Sequence, residues 1–73
     1  MRKSSAATVY QLAKLKKWQL KLDVSCDQVC IFSTDDVVIP DHETPFQRYV
    51  RMHIKALRPY LASIGEVFDG RVL

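Results

Sequence analysis

Trp18-Gln19-Leu20-Lys21-Leu22-Asp23-Val24 alternates apolar and polar residues at every step, and Ser25 continues the pattern. A period of two places Trp18, Leu20, Leu22 and Val24 on one face of a strand, with Gln19, Lys21 and Asp23 on the other. Leu15, Trp18 and Leu22 also share a helical face, so the competing reading is a longer helix carried through from the N-terminal side. The unbroken alternation favours the strand, and that choice makes the chain α+β rather than all-helical.

Working outward, Thr8-Val9-Tyr10-Gln11 has the form of a capping box, and Val9, Leu12 and Ala13 make a narrow apolar stripe, predicting a short helix over about 8–17. On the other side, Cys26-Asp27-Gln28 is short and polar enough to turn the chain. Val29-Cys30-Ile31-Phe32 reads as a second strand, Ser33-Thr34-Asp35-Asp36 as another turn, and Val37-Val38-Ile39 as a third strand ended by Pro40. Together the three runs predict an antiparallel meander with one apolar face.

The cover for that face begins at Thr44-Pro45-Phe46-Gln47, a capping box with proline at the first helical position, where its missing N–H costs nothing. Phe46, Val50, Ile54, Leu57, Leu61 and Ile64 then recur at helical spacing on one face, and Gly65 supplies a C-terminal stop. An amphipathic helix over about 45–64 follows. Pro59 removes a backbone hydrogen bond and disfavours helical geometry at Arg58, so a kink or a break is expected near 57–59. The expected order is helix, three strands, helix, in one domain over residues 1–73, with 1–5 and 66–73 as candidate flexible ends. Val67, Phe68, Val72 and Leu73 leave the tail two readings: a short strand on the sheet edge, or an apolar segment that docks on another protein.

With 73 residues, 48% of them hydrophobic, the chain can build one small core and little more, so burial against a partner is a natural source of added stability. No run approaches the roughly 18 apolar residues of a spanning helix, and Met1–Ser5 leads into lysine-broken sequence. A soluble, cytoplasmic chain without a membrane partner is therefore expected.

The net charge of +3 conceals strong segregation. Residues 1–22 carry six cations and no acid, 23–43 six acids and no Lys or Arg, and 44–65 four cations and no acid. Such blocks either tie the acidic centre to its basic flanks or steer a charged macromolecule. On the long helix Arg48, Arg51, Lys55 and Arg58 form a stripe, while Lys14, Lys16, Lys17 and Lys21 surround Trp18. A cationic stripe with an aromatic nearby can hold phosphates and stack a base, although a solvated helix face has the same composition.

Catalytic chemistry finds no foothold. Cys26, Cys30, His42 and His53 lack the compact second pair of zinc modules, so no metal is expected, and the cysteines read as small buried or half-buried residues of the first hairpin. Asp35-Asp36 reads as a solvated turn. Neither glycine opens a helix as a phosphate cradle, and no serine sits in a nucleophile elbow. A non-enzymatic chain without a cofactor is the expectation.

In size, compactness and charge the chain resembles the tiny regulators that bacteriophages direct at host machinery, including those that bind bacterial RNA polymerase and alter initiation or termination. That resemblance implies transcription regulation by binding a larger protein. The residues expected to carry binding are Lys14, Lys16, Lys17, Trp18, Arg48, Arg51, Lys55, Arg58, Val67 and Phe68. The alternative is direct nucleic-acid binding through the Arg48 to Arg58 stripe.

Overall fold

Lys17 ends the first helix. In the computed structural model, which describes residues 6–71, α1 spans Ala6–Leu15 and Lys17 adopts a left-handed φ of 66°. The Lys17 N–H closes onto the Lys14 carbonyl, and the left-handed residue redirects the chain into β1, Trp18–Asp23. The alternation is therefore a strand. Because α1 includes Ala6 and Ala7, Thr8 lies inside the helix and is not its cap: alanine is the best helix former, and the pair extends the helix on its N-terminal side.

β1 returns through a tight turn into β2, Gln28–Ser33, pairing antiparallel from Trp18 opposite Ser33 to Asp23 opposite Gln28. Asp23 builds this turn by accepting from the Ser25 N–H at 3.0 Å and the Ser25 hydroxyl at 2.6 Å, while Asp27 takes a left-handed φ of 57°. Cys26 is exposed here rather than buried or half-buried, since it lies in the turn itself; Cys30, on β2, is half-buried.

The expected third strand is absent. Asp35 and Asp36 are both left-handed, and the Val37 N–H closes onto the Thr34 carbonyl as in a hairpin turn, but pairing stops there. Val37 and Ile39 leave the sheet to pack on the core, Val38 stays 83% exposed, and Pro40 has no N–H to pair. Burying two aliphatic side chains outweighs extending an exposed ladder.

The third strand is instead β3, Val67–Phe68, which pairs parallel with β1, Leu22 opposite Val67 and Asp23 opposite Phe68. The sheet is mixed, in the order β2-β1-β3, not an antiparallel meander. A parallel neighbour needs a crossover, and the intervening helices provide it.

Those helices are α2, Pro45–Met52, and α3, Ile54–Ser63. The capping box at Thr44 forms as expected, with Gln47 N–H donating to Thr44 Oγ1 at 3.2 Å and Thr44 N–H to Gln47 Oε1 at 2.6 Å. The break falls at His53, not near 57–59. His53 Nδ1 sits 2.9 Å from the Tyr49 carbonyl that a continuous helix would offer to the His53 N–H, which turns to Val50 instead. Pro59 stays inside α3 on its exposed side, opposite buried Leu57 and Leu61. The Lys55 carbonyl facing its ring lies in the first turn of α3, just past the break. Gly65, at φ 80°, closes α3: Glu66 N–H donates to the Leu61 carbonyl and Gly65 N–H to that of Ala62, a Schellman end that aims the chain along β1.

The core joins Val9, Tyr10 and Ala13 of α1, Trp18, Leu20 and Leu22 of β1, Val50 of α2, and Leu57 and Leu61 of α3. β2 adds Val29 and Ile31 only as half-buried partners, and Ile64, expected on the apolar face, is 42% exposed at the end of α3.

Candidate functional site

Outside the core, the charge blocks meet one another. Arg51 grips Glu43 with Nε at 2.9 Å from Oε2 and Nη2 at 3.1 Å from Oε1, and Arg48 joins the same carboxylate at 3.3 Å. Arg58 reaches Asp27 at 3.2 Å, and Lys17 reaches Asp35 at 3.6 Å. Each acid belongs to the central block and each base to a flank. These pairs are exposed, so each contributes at most a fraction of a kcal/mol, and their arginines can exchange partners at little cost. Lys55, between Arg51 and Arg58 on the stripe, is exposed and has no acid within ion-pair distance among the described residues.

Around Trp18 the cations lie against aromatic rings. Lys16 Nζ sits 5.2 Å from the Phe46 ring centre and 6.0 Å from that of Trp18, and Lys14 Nζ sits 5.1 Å from that of Tyr10. Trp18 itself is 7% exposed and packs edge-on against Phe46, so it offers no free face for stacking a base.

Val67 and Phe68 lie at the opposite edge of the sheet from β2, about 10 Å away by ordinary strand spacing. They are not gathered with the α2–α3 stripe. Phe68 meets Phe32 edge-on at 5.3 Å across the outer face of the sheet, beside Gln19 and Lys21. Of the two readings of the tail, residues 67–68 follow the strand; Val72 and Leu73 lie outside the described residues. Two side-chain clamps secure this edge. Tyr10 Oη donates to Glu66 at 2.6 Å, with Gln19 donating to the same carboxylate, and Asp23 accepts from the Gly70 N–H at 3.0 Å. The Tyr10 hydroxyl and Gln19 lower the Glu66 pKa, while the bond to Glu66 and burial push Tyr10 up to about 12. The Ser25 hydroxyl and the Gly70 N–H hold Asp23 down to about 2. A Cβ at Gly70 would collide with the Asp23 carboxylate, so a larger residue there would have to displace that side chain.

The opposite edge carries the feature that sequence reasoning missed. Between β2 and the α2–α3 pair runs a groove of about 340 Å³, walled by Val29 and Ile31 on one side and Val50 and Ile54 on the other. Phe46 at the start of α2 meets Trp18, which pairs with Ser33, whereas Arg58 of α3 meets Asp27; the helices therefore run antiparallel to β2. One end of the groove is bounded by Asp27 and Arg58 and the other by Glu43 and Arg51. Of the predicted binding residues, Arg51 and Arg58 line it, and Arg48 and Lys55 belong to the same helical stripe.

The strand side of the groove is an open edge. Thr34 N–H donates to the Lys17 carbonyl, so alternate pairs along the ladder, ending with Asp23 and Gln28, exchange the bonds that join β1 to β2. The N–H and C=O groups of Val29, Ile31 and Ser33 consequently point away from β1, and among the described residues no hydrogen bond meets them. Placing Val37–Ile39 as a strand next to β2 hid this edge. Its signal in the sequence is a six-residue run, Gln28–Ser33, without lysine, proline or acid.

Chemistry of other kinds is thinly supplied. Burial, with Asp23 and Cys26 nearby, raises the Cys30 pKa, so the thiol stays protonated at neutral pH. His53 is turned to Tyr49, and no group of three or more His, Cys, Asp or Glu side chains is gathered closely enough for a metal among the described residues. No helix among them is long and apolar enough to cross a membrane. No protein-family model matches the chain, and none of the curated proteins or solved structures does.

Proposed function

We propose that this chain is a small non-enzymatic regulator that acts by binding a larger protein, with the groove between β2 and α2–α3 as its principal contact. The observation that carries the reading is the groove itself: apolar walls, charged ends and one side left as an unpaired strand. A short chain with a limited core gains by covering such a surface, and aliphatic walls with exchangeable arginines suit the centre and rim of a protein interface. The phage-type regulators that the chain resembles make bacterial RNA polymerase the first partner to titrate.

Affinity capture with the full chain tests this, comparing the unmodified protein with an Ile54→Glu variant that places a charge in the groove wall. The variant should lose most of its captured polymerase, or other large partner, while keeping its circular dichroism. Equal capture by both proteins would remove the groove from the reading. The rival, direct nucleic-acid binding through Arg48, Arg51, Lys55 and Arg58, requires a log–log salt slope of about −3.6 on duplex DNA for about four neutralised phosphates. The apolar walls and unpaired strand beside that stripe match a polypeptide and offer nothing to a phosphate backbone, which favours the protein partner.

A further inference from the structure

We infer that the groove takes an extended segment of the partner protein as a new strand on β2, and that this segment carries two apolar residues two positions apart, flanked on the same face by acidic ones. The inference rests on the protein-binding reading and specifies its mode.

The backbone supplies the first argument. Val29, Ile31 and Ser33 present outward donors and acceptors at the spacing of a ladder that has lost its neighbour, and only another extended backbone can satisfy them in register. Natural edge strands are normally blunted by lysine, proline, a bulge or extreme shortness. β2 has none of these: it is six residues long, uncharged, and in continuous register with β1. β3, two residues long and clamped from both sides, shows the ordinary protection.

The pleat then sets the side-chain pattern. Val29 and Ile31 pair with Leu22 and Leu20, which are buried, so they lie on the helix-facing side of the sheet, two positions apart, beside Val50 and Ile54. An added strand aligned with them presents two residues on that face to the same apolar slot. The next residues on that face, before and after, arrive at the two ends of the groove, at Arg58 and at Arg51.

Charge selects between occupants. On the helical rim the groove's own ends are balanced, Arg51 and Arg58 against Glu43 and Asp27, but beside them on the stripe Arg48 and Lys55 add two positive charges, and Lys55 has no acid within ion-pair distance among the described residues. Acidic residues flanking the apolar pair complement this rim. A second copy of the chain offering its own β2 complements it less well, because the residues flanking Val29 and Ile31 on that face are Ser33 and Asp27, and Asp27 is held in the turn at a left-handed φ and paired with Arg58.

The test is selection of a random dodecapeptide library on the immobilised full chain, followed by amide spectra of the chain with the enriched peptides. The expected peptides contain acid-x-apolar-x-apolar-x-acid, and they shift and protect the amides of Val29, Ile31 and Ser33 without protecting Phe68. Total synthesis with N-methyl isoleucine at Ile31 removes one outward donor while leaving the β1 ladder intact. Peptide affinity should fall about tenfold, the scale of one lost interface hydrogen bond, with Cys30 and Phe32 amides still protected as proof of folding. Lys55→Glu should weaken binding and flatten its salt dependence.

Enriched peptides that are basic, that protect the Phe32 and Phe68 face, or that bind the N-methylated protein unchanged would overturn the inference, as would a library yielding no peptide at the β2 edge. Concentration-dependent dimerisation protecting the same three amides would assign the edge to a second copy and overturn it too. If polymerase capture remains sensitive to Ile54→Glu while the peptides fail, the strand mode alone is wrong. If capture ignores that variant, the groove is not the contact surface and the inference falls with it, while protein binding through another surface stands.

Discussion

The two edges of the sheet are built to opposite specifications on the same central strand. β3 is two residues long, locked by Tyr10 through Glu66 and by Asp23 through Gly70, and its neighbour β1 donates into it from Leu22 and Val24. β2 is six residues long, contributes no fully buried side chain, and borders an open groove. The contrast separates an edge closed by side-chain chemistry from one held only by the ladder to β1. Exposed backbone groups on a long apolar strand invite pairing, so leaving β2 open is consistent with use, and closing β3 confines any pairing to one side.

The largest effect should come from weakening what both edges share. Leu20 is fully buried at the centre of β1. Leu20→Ala should cost about 3 kcal/mol, enough in a domain this small to lower the melting temperature by well over 10 °C, at about 4–8 °C per kcal/mol. Calorimetry should show both edges lost in one transition.

Breaking only the closed edge should be milder. Tyr10→Phe keeps the buried ring and removes the donor to Glu66, so the loss should be about 1.5 kcal/mol, the low end for a hydrogen bond to a charged group. Amide exchange should quicken at Leu22 and Val24, which donate into the β3 segment, while Cys30 and Phe32 stay protected. Equal loosening on both sides would mean that the edges are not independent.

The same clamps make the closed edge sensitive to pH. Asp23 and Glu66 have lowered folded-state pKa values, so their contribution is complete above the unfolded values near 4 and is lost as pH falls, toward about 2 for Asp23. Tyr10 is raised to about 12, so its contribution is complete below pH 10 and is lost as pH climbs from 10 to 12. Thermal melts should therefore fall off on both the acid and the alkaline side. Glu66→Gln should reduce both losses, and a Glu66→Gln protein with the parent's pH profile would show that the clamp is not the cause.

The smallest effect belongs to the open edge. Glu43→Gln removes the acid shared by Arg48 and Arg51, yet stability should change by no more than about 0.5 kcal/mol, because all three groups are exposed. A loss several times larger would show that the groove end is a structural brace and not an exchangeable rim.

Much of this was legible in the residues. The alternation from Trp18 to Asp23, the capping box at Thr44 and the stop at Gly65 all formed where they were read, because each is decided by neighbours within four positions. The segregated charge was legible as well, as were the stripe residues Arg51 and Arg58 that line the groove. The misplaced third strand depended on competition at a distance, whereas the misplaced helix break was local and was outweighed by a more conspicuous signal. His53 breaks the helix because its ring takes the Tyr49 carbonyl, a choice that the distant and conspicuous Pro59 obscured.

Local periodicity by itself determined the strand at β1, the amphipathic helical segment and the turns, since these follow from backbone sterics and the spacing of apolar side chains. Tertiary structure alone decided which strand stands beside which. Val37 and Ile39 gain more by entering the core than by pairing with β2, and the Schellman end of α3 delivers Val67 and Phe68 to the far side of β1. Burial is a property of the whole chain, so the open edge of β2 exists only once every apolar residue has found its place.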